Sequence, residues 1–285
     1  MARTVLITGC SQDGIGESLA ISFQRANCEV IATARDACKM KRLAESGIRT
    51  LEIDISSDDS VNAAVQKLAE ENISIDILVN NAGIINNGPL VETSLDTAQK
   101  VINTNVIGSF RLTKALVPSM IKSKEGLVMN VSSVVGEVPL PFGGFYAISK
   151  SALNTLSTVL RTELEPFNIK VMVLEPGAVK SNIANNHLPY TASEASPYHP
   201  IKDLIANRLQ LSQIHSTAPG REAFADDVVR YALKRSPPKL LITGGKAWLF
   251  KILTKLPSSL VQWLFSYRFG LKKLKNIVST QRKTN

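Results

Sequence analysis

Tyr146 and Lys150, four residues apart in YAISK, and Ser133, thirteen residues before the tyrosine, are the residues whose types and spacing could move a proton. On a helix, positions four apart share a face. A free tyrosine titrates at about 10 and is a poor acid–base catalyst near neutrality, but an adjacent ammonium stabilises the phenolate and lowers that value. A serine hydroxyl beside the pair can donate a hydrogen bond to a carbonyl oxygen on which charge develops. Such a pair also occurs on solvated helix faces, so it needs support from elsewhere in the chain. That support is TGCSQDGIG, residues 8–16, which joins the first strand-like run to the first helical one. Glycines there let the backbone approach a pyrophosphate, whose charge is favoured by the amides and dipole of a helix N-terminus. A glycine-rich turn can also be a plain tight turn, but this one sits at the first βα junction of a chain built of such junctions.

Short β-branched runs alternate with segments of helical period, the pattern of repeated βαβ units. Strands are expected at residues 3–8, 29–34, 50–53, 75–80, 126–132, 170–174 and 239–243, and helices at 15–26, 39–45, 60–70, 107–121 and 147–165. The expected fold is therefore α/β, a doubly wound seven-stranded parallel sheet in one domain covering residues 1–245. Between 181 and 220 the periodicity weakens and Pro, Ser, Asn and His accumulate, as in an insertion over a ligand site; the substrate lid is placed there. Cys10, Cys28 and Cys38 are odd in number and lack metal-ligand spacing, so neither a disulfide framework nor a metal site is expected. With no apolar leader before the first strand, an intracellular protein is expected.

The net charge of +9 would suit a nucleic-acid binder if it were spread over the fold. It is not. Residues 246–285 hold nine Lys or Arg and no Asp or Glu, which leaves the rest of the chain balanced at 24 of each sign, and no nucleic-acid partner is expected. The extension mixes these charges with Trp248, Phe250, Trp263, Phe265, Tyr267 and Phe269. Pro257, Lys251, Lys255 and Arg268 interrupt the apolar run, so it cannot span a bilayer. Two short amphipathic helices are expected, suited to an anionic membrane surface, to capping the substrate pocket, or to a second subunit.

Taken in order, these motifs resemble the short-chain dehydrogenases/reductases, over about residues 3–243. Gly9, Ser11, Gly14, Ile15 and Gly16 resemble the family's cofactor loop. Asp54, with Ile55 beside it, matches the aspartate that contacts adenine, and Asn81, Ala82 and Gly83 in NNAG match the turn against the adenine ribose. Pro176, Gly177, Val179 and Ser181 match the loop that grips the nicotinamide carboxamide. Asn105 in NVIG matches an asparagine that holds a water in the proton relay, completing a tetrad with Ser133, Tyr146 and Lys150. The resemblance implies a Rossmann fold and hydride transfer between a nicotinamide and a ketone or alcohol. In that reaction Tyr146 would move the proton, Lys150 would bind the nicotinamide ribose and depress the tyrosine pKa, and Ser133 would orient the carbonyl. The motifs do not set the direction.

Where family members that select NAD carry an acid, at the end of the second strand, this chain has Ala34 followed by Arg35, and NADP(H) is expected. Asp13 points the other way, standing where NADP-selecting relatives often carry a base. The loop also has four residues between Gly9 and Gly14 where the usual pattern has three. The extension and the opening VLITGCS resemble one subgroup, the fungal NADPH-dependent 1-acyldihydroxyacetone-phosphate reductases, which implies a peripheral site on endoplasmic reticulum or lipid droplets. Relatives in secondary-metabolite pathways share these features, so a pathway oxidoreductase and, from another class, a non-redox binding or pericyclic scaffold remain alternatives. The family also implies a homodimer or homotetramer through the long helices.

Overall fold

The computed structural model describes residues 2–182, 187–188, 190–208 and 218–284. The expected lid thus falls partly outside the described residues, at 183–186, 189 and 209–217. The chain runs β1 (Thr4–Thr8), α1 (Ile15–Arg25), β2 (Glu29–Ala34), α2 (Lys41–Glu45), β3 (Arg49–Glu52), α3 (Asp58–Glu70) and β4 (Ile77–Asn80). It continues through β5 (Ile85–Asn86), α4 (Leu95–Ile102), α5 (Ser109–Ser123), β6 (Gly126–Val131), α6 (Gly144–Leu164), β7 (Ile169–Pro176), β8 (His187–Leu188) and α7 (Lys202–Asn207). α8 (Arg221–Ala232), β9 (Leu240–Thr243), α9 (Ala247–Leu253), α10 (Ser258–Arg268) and α11 (Leu271–Thr284) complete it.

Seven strands form one parallel sheet in the order β3-β2-β1-β4-β6-β7-β9, as the alternating pattern predicts. Because the strands are β-branched and covered on both sides, alternate residues feed separate apolar layers. Val5 and Ile7 of β1 pack with Leu19, Phe23 and Val228 of α1 and α8 on one face. Leu6, between them, packs with Val61, Leu68, Leu112, Leu116 and Leu160 of α3, α5 and α6 on the other. The chain winds outward from β1 to β3 and then returns to place β4 beside β1, so a crevice opens at the carboxyl ends of those two strands.

Buried polar side chains tie this region together. Asn80 of β4 donates to Thr113 Oγ1 at 2.9 Å and to Asn130 Oδ1 at 2.8 Å, and Asn130 donates to Ser157 Oγ at 2.8 Å. One network thus links two central strands to α5 and α6. Several elements depart from the sequence reading, α7 and α8 among them, since no helix is expected between 165 and 246. α4 and a π-helical turn at Asn103–Gly108 precede α5, so the helical run begins well before 107. β5 and β8 form a separate two-stranded parallel sheet. The extension forms three helices rather than two, and no helix among the described residues is long and apolar enough to cross a membrane.

Candidate active site

All of the residues that the sequence assigned to the cofactor except Gly16 line one continuous cleft along the carboxyl edge of the sheet. Gly9 sits at φ +72°, and a Cβ there would come within 2.8 Å of the Ala82 Cα, so the glycine lets two βα loops touch. Asn81 Nδ2 donates to the Thr8 carbonyl at 2.8 Å, while Thr8 Oγ1 accepts from the Asn81 and Ala82 amides, both at 3.0 Å. Gly16 lies beneath the loop rather than in the cleft: its Cβ would meet the Gly9 carbonyl at 2.5 Å. The loop, with Ser11 and Gly14 on the cleft wall, leads into the N-terminus of α1 and suits a dinucleotide pyrophosphate.

The extra residue in this loop is absorbed at Asp13, which takes the left-handed conformation at φ +62°. Its amide donates to Glu17 Oε2 at 2.8 Å. The Asp13 carboxylate pairs with Arg221 and lies 3.5 Å from Arg42, so two guanidiniums offset its charge. It is absent from the cleft wall, which removes the objection that Asp13 raised against a phosphorylated ribose. At the adenosine end the wall carries Arg35 and also Lys39, which the sequence reading had counted only as helix. Neither is paired with a carboxylate among the described residues. Asp36, an acid on the same wall, uses Oδ1 to cap the turn at Ala37–Met40 through the Cys38 amide at 2.9 Å. Asp54 likewise accepts from the Ser56 amide and hydroxyl at 2.9 and 2.6 Å.

Opposite this end the sheet presents Ser133, just past β6, and α6 presents Tyr146 and Lys150 on one face. The start of α6 is fixed from outside, because Asn86 Oδ1 accepts from the Tyr146 amide at 2.8 Å. Lys150 is buried, its Nζ donating to the Val131 carbonyl at 2.8 Å and lying 5.5 Å from the Tyr146 ring centroid. Burial brings the ammonium down to about 8. Burial also pushes the Tyr146 hydroxyl up to about 12, opposed by a hydrogen bond from Ser133 and by the positive charge of Arg208. The hydrogen bond from Ser133 and the charge of Arg208 both favour the phenolate and burial outweighs them, while the Lys150 ammonium lies 5.5 Å from the ring.

Asn105 is fully buried in the π-helical turn and does not reach the cleft wall. Its side chain clamps the backbone of Ile84, accepting from the amide at 2.8 Å and donating to the carbonyl at 2.9 Å, and it donates to Ser149 at 2.9 Å. It stays close to the reacting end, because a Cβ on Gly83 would meet Asn105 Oδ1 at 3.2 Å and Lys150 Nζ at 3.7 Å. π turns inside helices are frequent at functional sites. On the far wall, the loop after β7 is held by Gly177 donating to Thr243 at 2.8 Å and by reciprocal bonds between Ala178 and Gly245, both 2.8 Å. It closes on the glycine loop through Asn182, whose amide donates to the Asp13 carbonyl at 2.9 Å.

The same cleft is also lined by Val134, Val135, Leu140, Phe250 and Arg208. Phe250 comes from the C-terminal extension and Arg208 from the lid segment, and neither was foreseen as a site residue. The extension is built into this wall. Phe269 packs with Phe142, Ile201 and Ile205, while Leu253 and Val261 pack with Val138. A Cβ on Gly270 would overlap Leu204, so the turn into α11 rests directly on the lid helix.

The sequence pattern of the short chain dehydrogenases matches residues 3–190. A short-chain dehydrogenase/reductase of Pestalotiopsis microspora is 33% identical over 272 residues, covering 94% of each chain. The NADPH-dependent 1-acyldihydroxyacetone phosphate reductase of Schizosaccharomyces pombe is 37% identical over 208 residues, covering 71% of this chain and 70% of that one. Among solved structures, a short-chain dehydrogenase from Streptomyces avermitilis superposes with a TM-score of 0.78 at 28% identity, covering 94% of this chain and 98% of its own. A sheet wound out and back from β1, a glycine turn at its switch point and a Ser-Tyr-Lys cluster across the cleft are thus accompanied by full-length sequence and structural likeness, and the chain belongs to the short-chain dehydrogenase family.

Proposed function

We propose that this protein is an NADP(H)-dependent ketoreductase acting on an apolar or lipid-like ketone, of which 1-acyldihydroxyacetone phosphate is the leading candidate. The observation that carries the reaction type is the convergence of Ser133, Tyr146 and Lys150 on one cleft wall, opposite a glycine-lined diphosphate cradle. When bound, the reduced nicotinamide supplies the hydride. Ser133 orients the carbonyl oxygen, and Tyr146, protonated at neutral pH, gives its phenolic proton to that oxygen. Lys150 stands behind Tyr146, where its ammonium favours the phenolate left behind and can hold the nicotinamide ribose; Asn105 keeps the neighbouring backbone in register. The same residues serve the reverse oxidation.

Two unpaired bases, Arg35 and Lys39, support NADP(H), since both suit a 2′-phosphate. That the S. pombe relative is NADPH-dependent and that a gluconate 5-dehydrogenase from Burkholderia cenocepacia, 28% identical with a TM-score of 0.60, was solved with NADP both agree. The apolar wall of Val134, Val135, Leu140 and Phe250 supports a greasy substrate, and equally favours a second reading, reduction of an apolar ketone in a specialised-metabolite pathway. We further propose that the segment at about 181–220, described at 181–182, 187–188, 190–208 and 218–220, acts as the substrate lid on a catalytic unit of residues 1–245, and that residues 246–285 cap the lid while offering a membrane-facing surface. Along α10, Leu260, Trp263, Leu264 and Tyr267 are exposed at helical spacing, whereas Val261 and Phe265 pack inward. Pairing of copies through α5 and α6 has its support in the exposed Phe110, Ile148 and Val159.

The deciding experiment follows NADPH consumption by wild type and Tyr146→Phe on 1-acyldihydroxyacetone phosphate and on apolar bicyclic and polyketide-like ketones. Turnover of the acyl phosphate, lost in the variant, is expected. Turnover of apolar ketones alone would favour the pathway enzyme, and activity surviving in Tyr146→Phe would overturn the role of Tyr146.

A further inference from the structure

Arg208 is the one buried guanidinium on the cleft wall among the described residues, and it stands at the reacting end. Only 9% of the residue is exposed, and it lies near enough to Tyr146 that each group perturbs the titration of the other. Room for it exists because position 143, just before α6, is glycine: a Cβ there would overlap the guanidinium. The lid backbone that carries it is pinned to the small sheet, where Asn87 Nδ2 donates to the Ile205 carbonyl at 2.8 Å. Yet Arg208 Nε has no hydrogen-bond partner, and no carboxylate is within ion-pair distance among the described residues. Burial alone brings its pKa down to about 10. An uncompensated buried charge costs several kcal/mol, and arginine's planar fork is the group best matched to a carboxylate or phosphate.

We infer that Arg208 is an anion-binding subsite of the substrate pocket, which selects ketones bearing a phosphate or carboxylate close to the carbonyl that Tyr146 protonates. The inference rests on the ketoreductase reading and narrows its substrate class. The fold leaves a counter-charge missing on the substrate side of the tyrosine, and an anionic substituent of the ketone completes it. In a largely apolar pocket the ion pair is shielded from water, which strengthens it and sets the register of the carbonyl against Ser133 and Tyr146.

The test measures binding of hexyl phosphate, hexanoate and 1-hexanol by calorimetry to full-length protein saturated with NADPH, so that the cofactor's own phosphate sites are filled. Wild type is expected to bind one of the two anions at least about tenfold tighter than the alcohol, and the tighter of the two identifies phosphate or carboxylate as the group. Arg208→Gln is expected to lose that preference by about 10- to 100-fold, and Arg208→Lys to keep part of it. Equal binding of all three ligands, no binding of either anion, or a preference that persists in Arg208→Gln would each overturn the inference. Should Arg208→Gln fail to fold, the wild-type preference and the Arg208→Lys value decide. Failure of the ketoreductase reading is seen separately, as absence of NADPH oxidation on every ketone. The two failures are therefore distinguishable.

Discussion

At the scale of single residues, the site separates two jobs that a tyrosine and a lysine are usually asked to share. Tyr146, pushed up to about 12, stays protonated throughout the neutral range, whereas Lys150, brought down to about 8, loses its charge just above it. Lys150 is therefore expected to be the group whose titration limits ketone reduction on the alkaline side: below about 8 the ammonium is present, and above it the stabilising charge is gone. The pH profile of kcat/KM for NADPH, which reports the free enzyme, is expected to fall above pH 8 or so. Lys150→Arg, permanently charged, should abolish that limb whatever its absolute rate; a limb at the same pH in the variant would assign it to another group.

Cofactor choice is also a residue-scale matter. Charge-assisted hydrogen bonds from Arg35 and Lys39 to a 2′-phosphate are each expected to contribute about 1.5–3 kcal/mol. The double variant Arg35→Ala, Lys39→Ala should thus lose at least about 100-fold in its preference for NADPH over NADH, read as a ratio of kcat/KM values. A ratio unchanged from wild type would leave both as solvated surface charges.

At the scale of elements, the geometry of α6 depends on a strand too short to be seen in the sequence. Asn86 belongs to the two-residue β5 and accepts from the Tyr146 amide, one of the donors that a helix N-terminus leaves without an internal partner. Asn86→Ala should cost about 1–2 kcal/mol in urea unfolding, with a fall in kcat as the Tyr146 ring loses its anchor. Unchanged stability would mean that another group caps the helix. Asn86 illustrates what was and was not legible. The seven long strands announce themselves through β-branched runs, and the chemistry-bearing motifs lie at their carboxyl ends, so the sheet, the glycine loop and the Ser-Tyr-Lys cluster could be read directly. β5 and β8 have too few residues to show a period. α4 hides because Leu95 is exposed and a π turn follows, putting its apolar positions out of phase with those of α5. Arg208 carried no local signal, since its burial comes from Gly143 and the lid folding over it. The depth at which Tyr146 and Lys150 are buried was hidden for a related reason: the spacing places the two side chains on one face and carries no information about what covers them.

For the whole molecule, the C-terminal extension turns from an appendage into the outer wall of the active site, with a second face left over. Phe269 and Gly270 join the extension to the lid, and Phe250 reaches the cleft itself. Removing residues 246–285 would therefore strip apolar cover from Phe142, Ile201 and Ile205, so a membrane role is better probed by point changes. The stripe Leu260, Trp263, Leu264 and Tyr267 points away from the body, and Lys272 Nζ lies 5.9 and 6.0 Å from the Trp263 and Tyr267 rings. Aromatic rings flanked by lysines match a bilayer interface, where the rings sit among headgroups and the ammonium groups meet anionic lipid at about 1 kcal/mol each. Trp263→Ser with Tyr267→Ser should lower binding to vesicles containing phosphatidylserine by at least about tenfold, with the lysine-dependent preference for anionic over neutral vesicles retained, while turnover of a water-soluble ketone stays near wild type. Loss of turnover together with vesicle binding would instead make the stripe part of the cap. Vesicle binding that survives the substitution would take the membrane away from this face altogether.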